Sequence, residues 1–165
     1  MTPNEFFLWL QDTPLGVSIR ESGFLFPWIE SVHVLAITIV LGTILIVDLR
    51  LMGVASRAFP VSKVMHDTLP FTVANFVLAV ITGTALFTSN SAKYAENFPF
   101  QMKMVLMLLA FVNLTAFHFI TMRDIAKWDA QEKAPAAVGF AGLSSIVLWL
   151  GVVAFGRWIG FTMGV

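Results

Sequence analysis

Residues 28–50 read WIESVHVLAITIVLGTILIVDLR, an apolar run with polar residues at both ends. Glu30 and His33 stand just inside its start, and Asp48 and Arg50 close it. A helix needs about 20 mostly apolar residues to cross the hydrocarbon core of a bilayer, and this stretch has that length. An ionisable side chain inside such a helix is costly unless it has a partner or a task. Glu30 and His33 are therefore the first candidates for function.

The same pattern recurs along the chain. Four stretches, 24–47, 71–88, 104–122 and 134–155, are almost free of charge. The chain has 165 residues, 58% of them hydrophobic and 12% charged, with a mean hydropathy of +0.83. A soluble domain of this size cannot hide so much apolar surface. The fold expected is all-α: a polytopic membrane protein with four spanning helices in one antiparallel bundle, forming a single domain over 1–165. Short loops predict that consecutive helices are neighbours. The lipid bilayer is the first partner. A formal net charge of zero offers nothing to a nucleic acid, and the absence of cysteine removes disulfides and thiolate metal sites.

The first residues, MTPNEFFLWLQDTP, lack the basic region of a signal peptide. Thr2 and Glu5 have capping-box spacing, with Pro3 at the first helical position. Phe6, Phe7, Trp9 and Leu10 would rest this short amphipathic helix in the membrane interface. Orientation follows from the basic residues. Arg50, Arg57 and Lys63 lie in the first loop and Arg123, Lys127 and Lys133 in the third, against Arg20, Lys93, Lys103 and Arg157 on the other side. That bias predicts both termini outside.

Depth sorts the candidate ligands. His33 lies about 22 Å of helix from the inner boundary at Asp48, and His118 only about 7 Å from Arg123. Those two histidines make a poor pair for one haem between helices 1 and 3. Helix 3 lines up Met104, Met107, Phe111, Thr115, His118 and Met122 at three- and four-residue steps. Met107 shares the depth of His33, so His33, Met104 and Met107 can converge near the outer side. His66, read as part of a polar loop before Pro70, can approach His118 near the inner side. Thioether with imidazole suits Cu(I), and imidazole pairs suit haem iron or Cu(II). The plain alternative is that the methionines fill gaps between helices and that His66 is simply solvated.

Glu30 is one turn from His33 and needs a partner, which Lys103 or Arg157 can supply from the outer ends of helices 3 and 4. At the inner end Asp48 is expected to meet Arg123 or Lys127 in a structural pair. Asn113, Asn75, Ser144 and Ser145 suit interhelical hydrogen bonds, and Gly42 and Gly83 suit close helix approach. The sequence has no phosphate loop, nucleophile elbow or HExxH motif. An independent enzyme active site is not expected.

Three stretches carry a resemblance. VHVLAITIVLG (32–42) resembles the His-bearing helix of the CopD-like copper resistance membrane proteins. LAVITGTALF (78–87) resembles their Thr-Gly helix, and YAENFPFQMKMVLMLLAFVNLTAFH (94–118) their Lys- and Asn-bearing helix, matching His33, Lys103 and Asn113. DLRLMG (48–53) and GRWI (156–159) bring the chain closer to a group of uncharacterised short bacterial four-helix proteins. The first resemblance implies a bacterial inner-membrane protein, its outer termini then periplasmic, that handles copper at the periplasmic face with a periplasmic metal-binding or redox protein as partner. Two further readings stay open: a small b-type cytochrome subunit passing electrons to quinone or a partner, and a non-catalytic scaffold subunit. Copper or haem b is the cofactor to look for, and a homo-oligomer is compatible with each.

Overall fold

The computed structural model describes residues 2–122, 125–129 and 135–163. They form helices α1 (Pro3–Gln11), α2 (Pro14–Glu21), α3 (Leu25–Leu51), α4 (Val61–Ser89), α5 (Ser91–Glu96), α6 (Phe98–Ala116), α7 (Ile125–Trp128) and α8 (Ala136–Met163). A π-helical turn, Phe117–Thr121, extends α6. No strand is present among the described residues. Helices α3, α4, α6 and α8 are each long and apolar enough to cross a membrane. Helices satisfy their own backbone groups, which hydrocarbon cannot do for them.

The spanning helices are longer than the apolar stretches alone suggest. α4 starts at Val61, ten residues before the expected 71, and runs straight through Pro70. Polar residues flank its apolar run, and their side chains remain exposed: Ser62, Lys63, His66 and Asp67 all face outward. A proline inside a spanning helix is tolerated where nearby hydroxyls and packing re-satisfy the backbone. Pro70 leaves the His66 carbonyl without its helical donor, and in the same turn Thr68 returns its hydroxyl to the Val64 carbonyl at 2.9 Å. The start of α4 is capped from a distance. Asp129 accepts from the Ser62 backbone N–H at 2.8 Å and from its hydroxyl at 2.5 Å.

Packing departs from a closed four-helix square. α3 lies along α4 and α8 lies along α6, while α3 and α8 join the two pairs. Gly142 makes that junction close, since a Cβ there would stand 2.9 Å from the Asp48 carbonyl oxygen. The consecutive helices α4 and α6 barely approach each other. The expectation that all consecutive helices are neighbours fails at this pair. The connection between them is not a bare loop but carries α5, and beside it the two helices meet through side chains, Phe87 on Phe100 at 5.3 Å.

Both ends of the bundle are closed. At the His33 end, α1, α2 and α5 fold over the helix termini. Thr2 and Glu5 exchange their capping-box hydrogen bonds, 2.7 Å from Thr2 N–H to Glu5 and 3.3 Å from Glu5 N–H to Thr2. Ser91 donates to the Phe7 carbonyl at 2.6 Å, and Arg20 to the Gln11 and Ser89 carbonyls at 3.2 Å each. At the Asp48 end, Leu51, Val61, Phe117, Trp128 and Val138 form a buried cluster. Arg50, 1% exposed, is sealed under it and donates to the Phe59 carbonyl at 2.8 Å.

Candidate ligand cleft

The missing contact between α4 and α6 leaves a cleft. It consists of two chambers, about 290 and 310 Å³, which share Val40, Phe76, Met107 and Trp149 as walls. His33, Lys103, Met104 and Met107 all line the upper chamber. Four candidates from two helices, α3 and α6, thus meet in one space.

The imidazole of His33 is oriented by α4. Its Nδ1 lies 2.9 Å from the Thr82 hydroxyl. That hydroxyl donates its one proton to the Leu78 carbonyl at 2.7 Å, which leaves it an acceptor for His33. In the tautomer that this arrangement favours, Nδ1 carries the hydrogen and Nε2 keeps the lone pair that a metal needs. A second partner that fixes the tautomer in this way is the usual support of a ligating histidine. Gly83 makes the fit possible. A Cβ there would stand 2.9 Å from His33 Cε1, so the residue expected to admit a neighbouring helix admits this ring instead.

Lys103 reaches the same chamber from α6. Its stem lies against Gly156 of α8, where an added Cβ would sit 3.6 Å from Cδ and 3.7 Å from Nζ. Among the described residues no carboxylate forms an ion pair with Lys103. Glu30 is not its partner. Glu30 is exposed, and its charge acts on Tyr94 of α5. Burial first, and Glu30 second, push the Tyr94 phenol above its ordinary value of 10. Arg157 is not its partner either: it is exposed and lies over the Phe161 ring at 5.7 Å. Helix rotation is the physical reason in both cases. One turn of separation keeps Glu30 near His33 in sequence, but it projects from the rim while His33 projects between the helices.

The lower chamber has one ionisable wall. Asp48 is 5% exposed, and its Oδ2 has no hydrogen-bond partner among the described residues. The expected pairing with Arg123 falls outside the described residues, as does the Lys127 side chain. Asn113 lines this chamber and donates to the Ala141 carbonyl at 3.0 Å, tying α6 to α8. Thr72 and Thr43 do the same for α4 and α3 at 2.8 Å.

His66 and His118 are not brought together. His66 is on a helix rather than in a loop, is exposed, and lies 3.6 Å from Asp67. His118 is exposed and packs edge-on against Phe119. Neither lines either chamber. A shared depth was all the sequence offered this pair, and the helices turn both side chains outward. Among the described residues no three His, Cys, Asp or Glu side chains cluster as a metal site.

Phe87, Phe100, Trp149 and Ser145 complete the cleft and Thr82 braces His33; in the sequence Ser145 suits only an interhelical hydrogen bond, and none of the others stands out as a site residue. Thr82 had one signal, its place beside Gly83 in mid-helix. The aromatic pair had none. Phe87 and Phe100 stack at 5.3 Å and 15° over the top of the upper chamber, with Tyr94 and Phe7 against Phe87. No curated protein and no solved structure matches the chain. A family model matches residues 6–162, nearly the whole bundle and every wall of the cleft, and the chain accordingly belongs to the DUF6644 family, a family of unknown function.

Proposed function

We propose that this protein is a small b-type cytochrome of the bacterial inner membrane, holding haem in the cleft and passing electrons to a partner or to quinone. One observation carries the reading: an imidazole with its Nε2 lone pair available and an ammonium without a carboxylate partner share one apolar cavity. A haem meets all three features. His33 would ligate the iron, Lys103 would hold a propionate, and the aliphatic and aromatic walls would cover the macrocycle. Met104 or Met107 would offer a thioether to the same group. One or two such side chains suffice to hold a haem, so a cluster of three is not needed. When bound, haem supplies a one-electron redox centre.

Copper is the second reading, favoured by Met104 and Met107 beside His33 and by the CopD-like resemblance. It leaves Lys103 unexplained, because an ammonium in the same apolar space repels Cu(I). A bare ion also has no use for a cavity of about 290 Å³. The visible spectrum of the purified protein, with metal analysis on the same sample, decides. A Soret band lost in His33→Ala supports the cytochrome. Copper without a Soret band moves the assignment to copper, and a colourless, metal-free protein defeats both. The orientation belongs to the same proposal: six basic residues between the first and second and between the third and fourth apolar runs, against four elsewhere, favour both termini in the periplasm. Alkaline phosphatase fused to Val165 is then active, and a stable but inactive fusion reverses the orientation.

A further inference from the structure

Water and lipid do not have equal access to this cleft. Toward the His33 end it is covered by the Phe87–Phe100 stack and by α1, α2 and α5 above it. Toward the Asp48 end it is closed by Leu51 and Phe117, 4% and 6% exposed, and the cluster around them. The side is different. Phe76 and Val80 of α4 and Met104 and Phe111 of α6 line the chambers and are also exposed on the outer surface, at 40, 48, 46 and 65%. Those residues are a rim, and the rim faces the hydrocarbon of the membrane.

We propose that the cleft is loaded sideways from the bilayer between α4 and α6, and that its ligand is a membrane-dissolved amphiphile whose carboxylate settles on Lys103. The inference rests on the cleft being the functional site, as above. It adds the route and the chemical class, an apolar body with an acidic head, which a haem and a fatty acid share. Charge complementarity selects the acid. Lys103 is a cation in a spanning helix with no carboxylate paired to it among the described residues, and holding such a charge in an apolar site without an anion costs several kcal/mol. The apolar walls select the body. A water-soluble anion gains nothing from them and has no open path to Lys103.

Trp149 is a wall of both chambers and so reports on what enters. The chain has five tryptophans, and replacing Trp9, Trp28, Trp128 and Trp158 with Phe leaves Trp149 as the sole emitter. This protein, in phospholipid bilayers, is titrated with palmitate brominated near mid-chain. The proposal expects saturable quenching of Trp149 that unbrominated palmitate reverses, while acrylamide in the water leaves the emission unchanged. Lys103→Met should raise the half-saturating concentration by about tenfold or more, the worth of a lost charged hydrogen bond, and Lys103→Arg should restore it. Strong acrylamide quenching, or quenching by brominated palmitate that neither saturates nor responds to Lys103→Met, overturns the proposal. Bound haem would fill the cleft and quench Trp149, so the titration is run on haem-free protein. A protein that never shows a Soret band but gives saturable, Lys103-dependent quenching keeps this inference and loses the cytochrome. A protein that shows a Soret band when loaded, but no such quenching once haem-free, does the reverse.

Discussion

Gly83→Ala adds one methyl group to the most sensitive point of the cleft. The new Cβ would stand 2.9 Å from His33 Cε1 and 3.4 Å from Nδ1. Carbon atoms in contact keep about 3.5–4.0 Å, so the ring must retreat from α4 by roughly 0.6–1 Å. The 2.9 Å bond from Nδ1 to the Thr82 hydroxyl then lengthens past the roughly 3.2 Å limit of a good N–H···O contact. Three effects compete in the stability. Losing an interhelical hydrogen bond in a membrane bundle costs about 0.6 kcal/mol, up to about 1.7. Overpacking costs about 1–3 kcal/mol. Alanine in place of a helical glycine gains up to about 1 kcal/mol. The losses win, and the variant should be about 1–3 kcal/mol less stable in steric-trap or SDS unfolding. The specific signature is in the ring. The chain has only three histidines, so nitrogen-labelled imidazoles give three resolvable patterns, with His33 identified by its loss in His33→Gln. Wild-type His33 should report hydrogen on Nδ1, and Gly83→Ala should weaken or abolish that preference. A variant that is stabilised by the full glycine-to-alanine gain, with His33 signals unchanged, would refute the account of Gly83 and Thr82.

The remaining expectations concern the two ends. Asp129→Ala removes the two acceptors at the start of α4 and should cost about 1–2 kcal/mol, as loss of a helix cap does; equal unfolding of the variant and wild type would exclude a capping role. Tyr94 is the single tyrosine, so tyrosinate absorbance titrates it alone, with a midpoint above 10. Glu30→Gln should lower that midpoint but leave it above 10, because burial is the larger cause; a midpoint unmoved by the substitution would separate Glu30 from Tyr94. The sign for stability follows. The folded protein holds this proton more tightly than the unfolded chain, so the contribution is complete below pH 10 and is lost as pH rises through the raised value.

The spanning helices were legible because hydrocarbon imposes a one-dimensional rule. Enough consecutive apolar residues must form a helix, whatever their neighbours are. Local chemistry was legible for the same reason: the Thr2–Glu5 capping box spans four residues and needs no partner from elsewhere. Helix ends were harder, since polar side chains at Ser62 to Asp67 reach out from a helix that continues beneath them. The grouping of His33 with Met104 and Met107 followed from depth alone, and depth is a property of position along each helix. Rotation about the axis is not. It sends Glu30, Arg157, His66 and His118 outward and His33 and Lys103 inward, and it depends on how four helices pack, which periodicity scarcely encodes when every face is apolar. The gap between α4 and α6 likewise belongs to no single segment. It arises because α3 and α8 take up the helix contacts, so the cleft that joins His33 to Lys103 exists only in three dimensions.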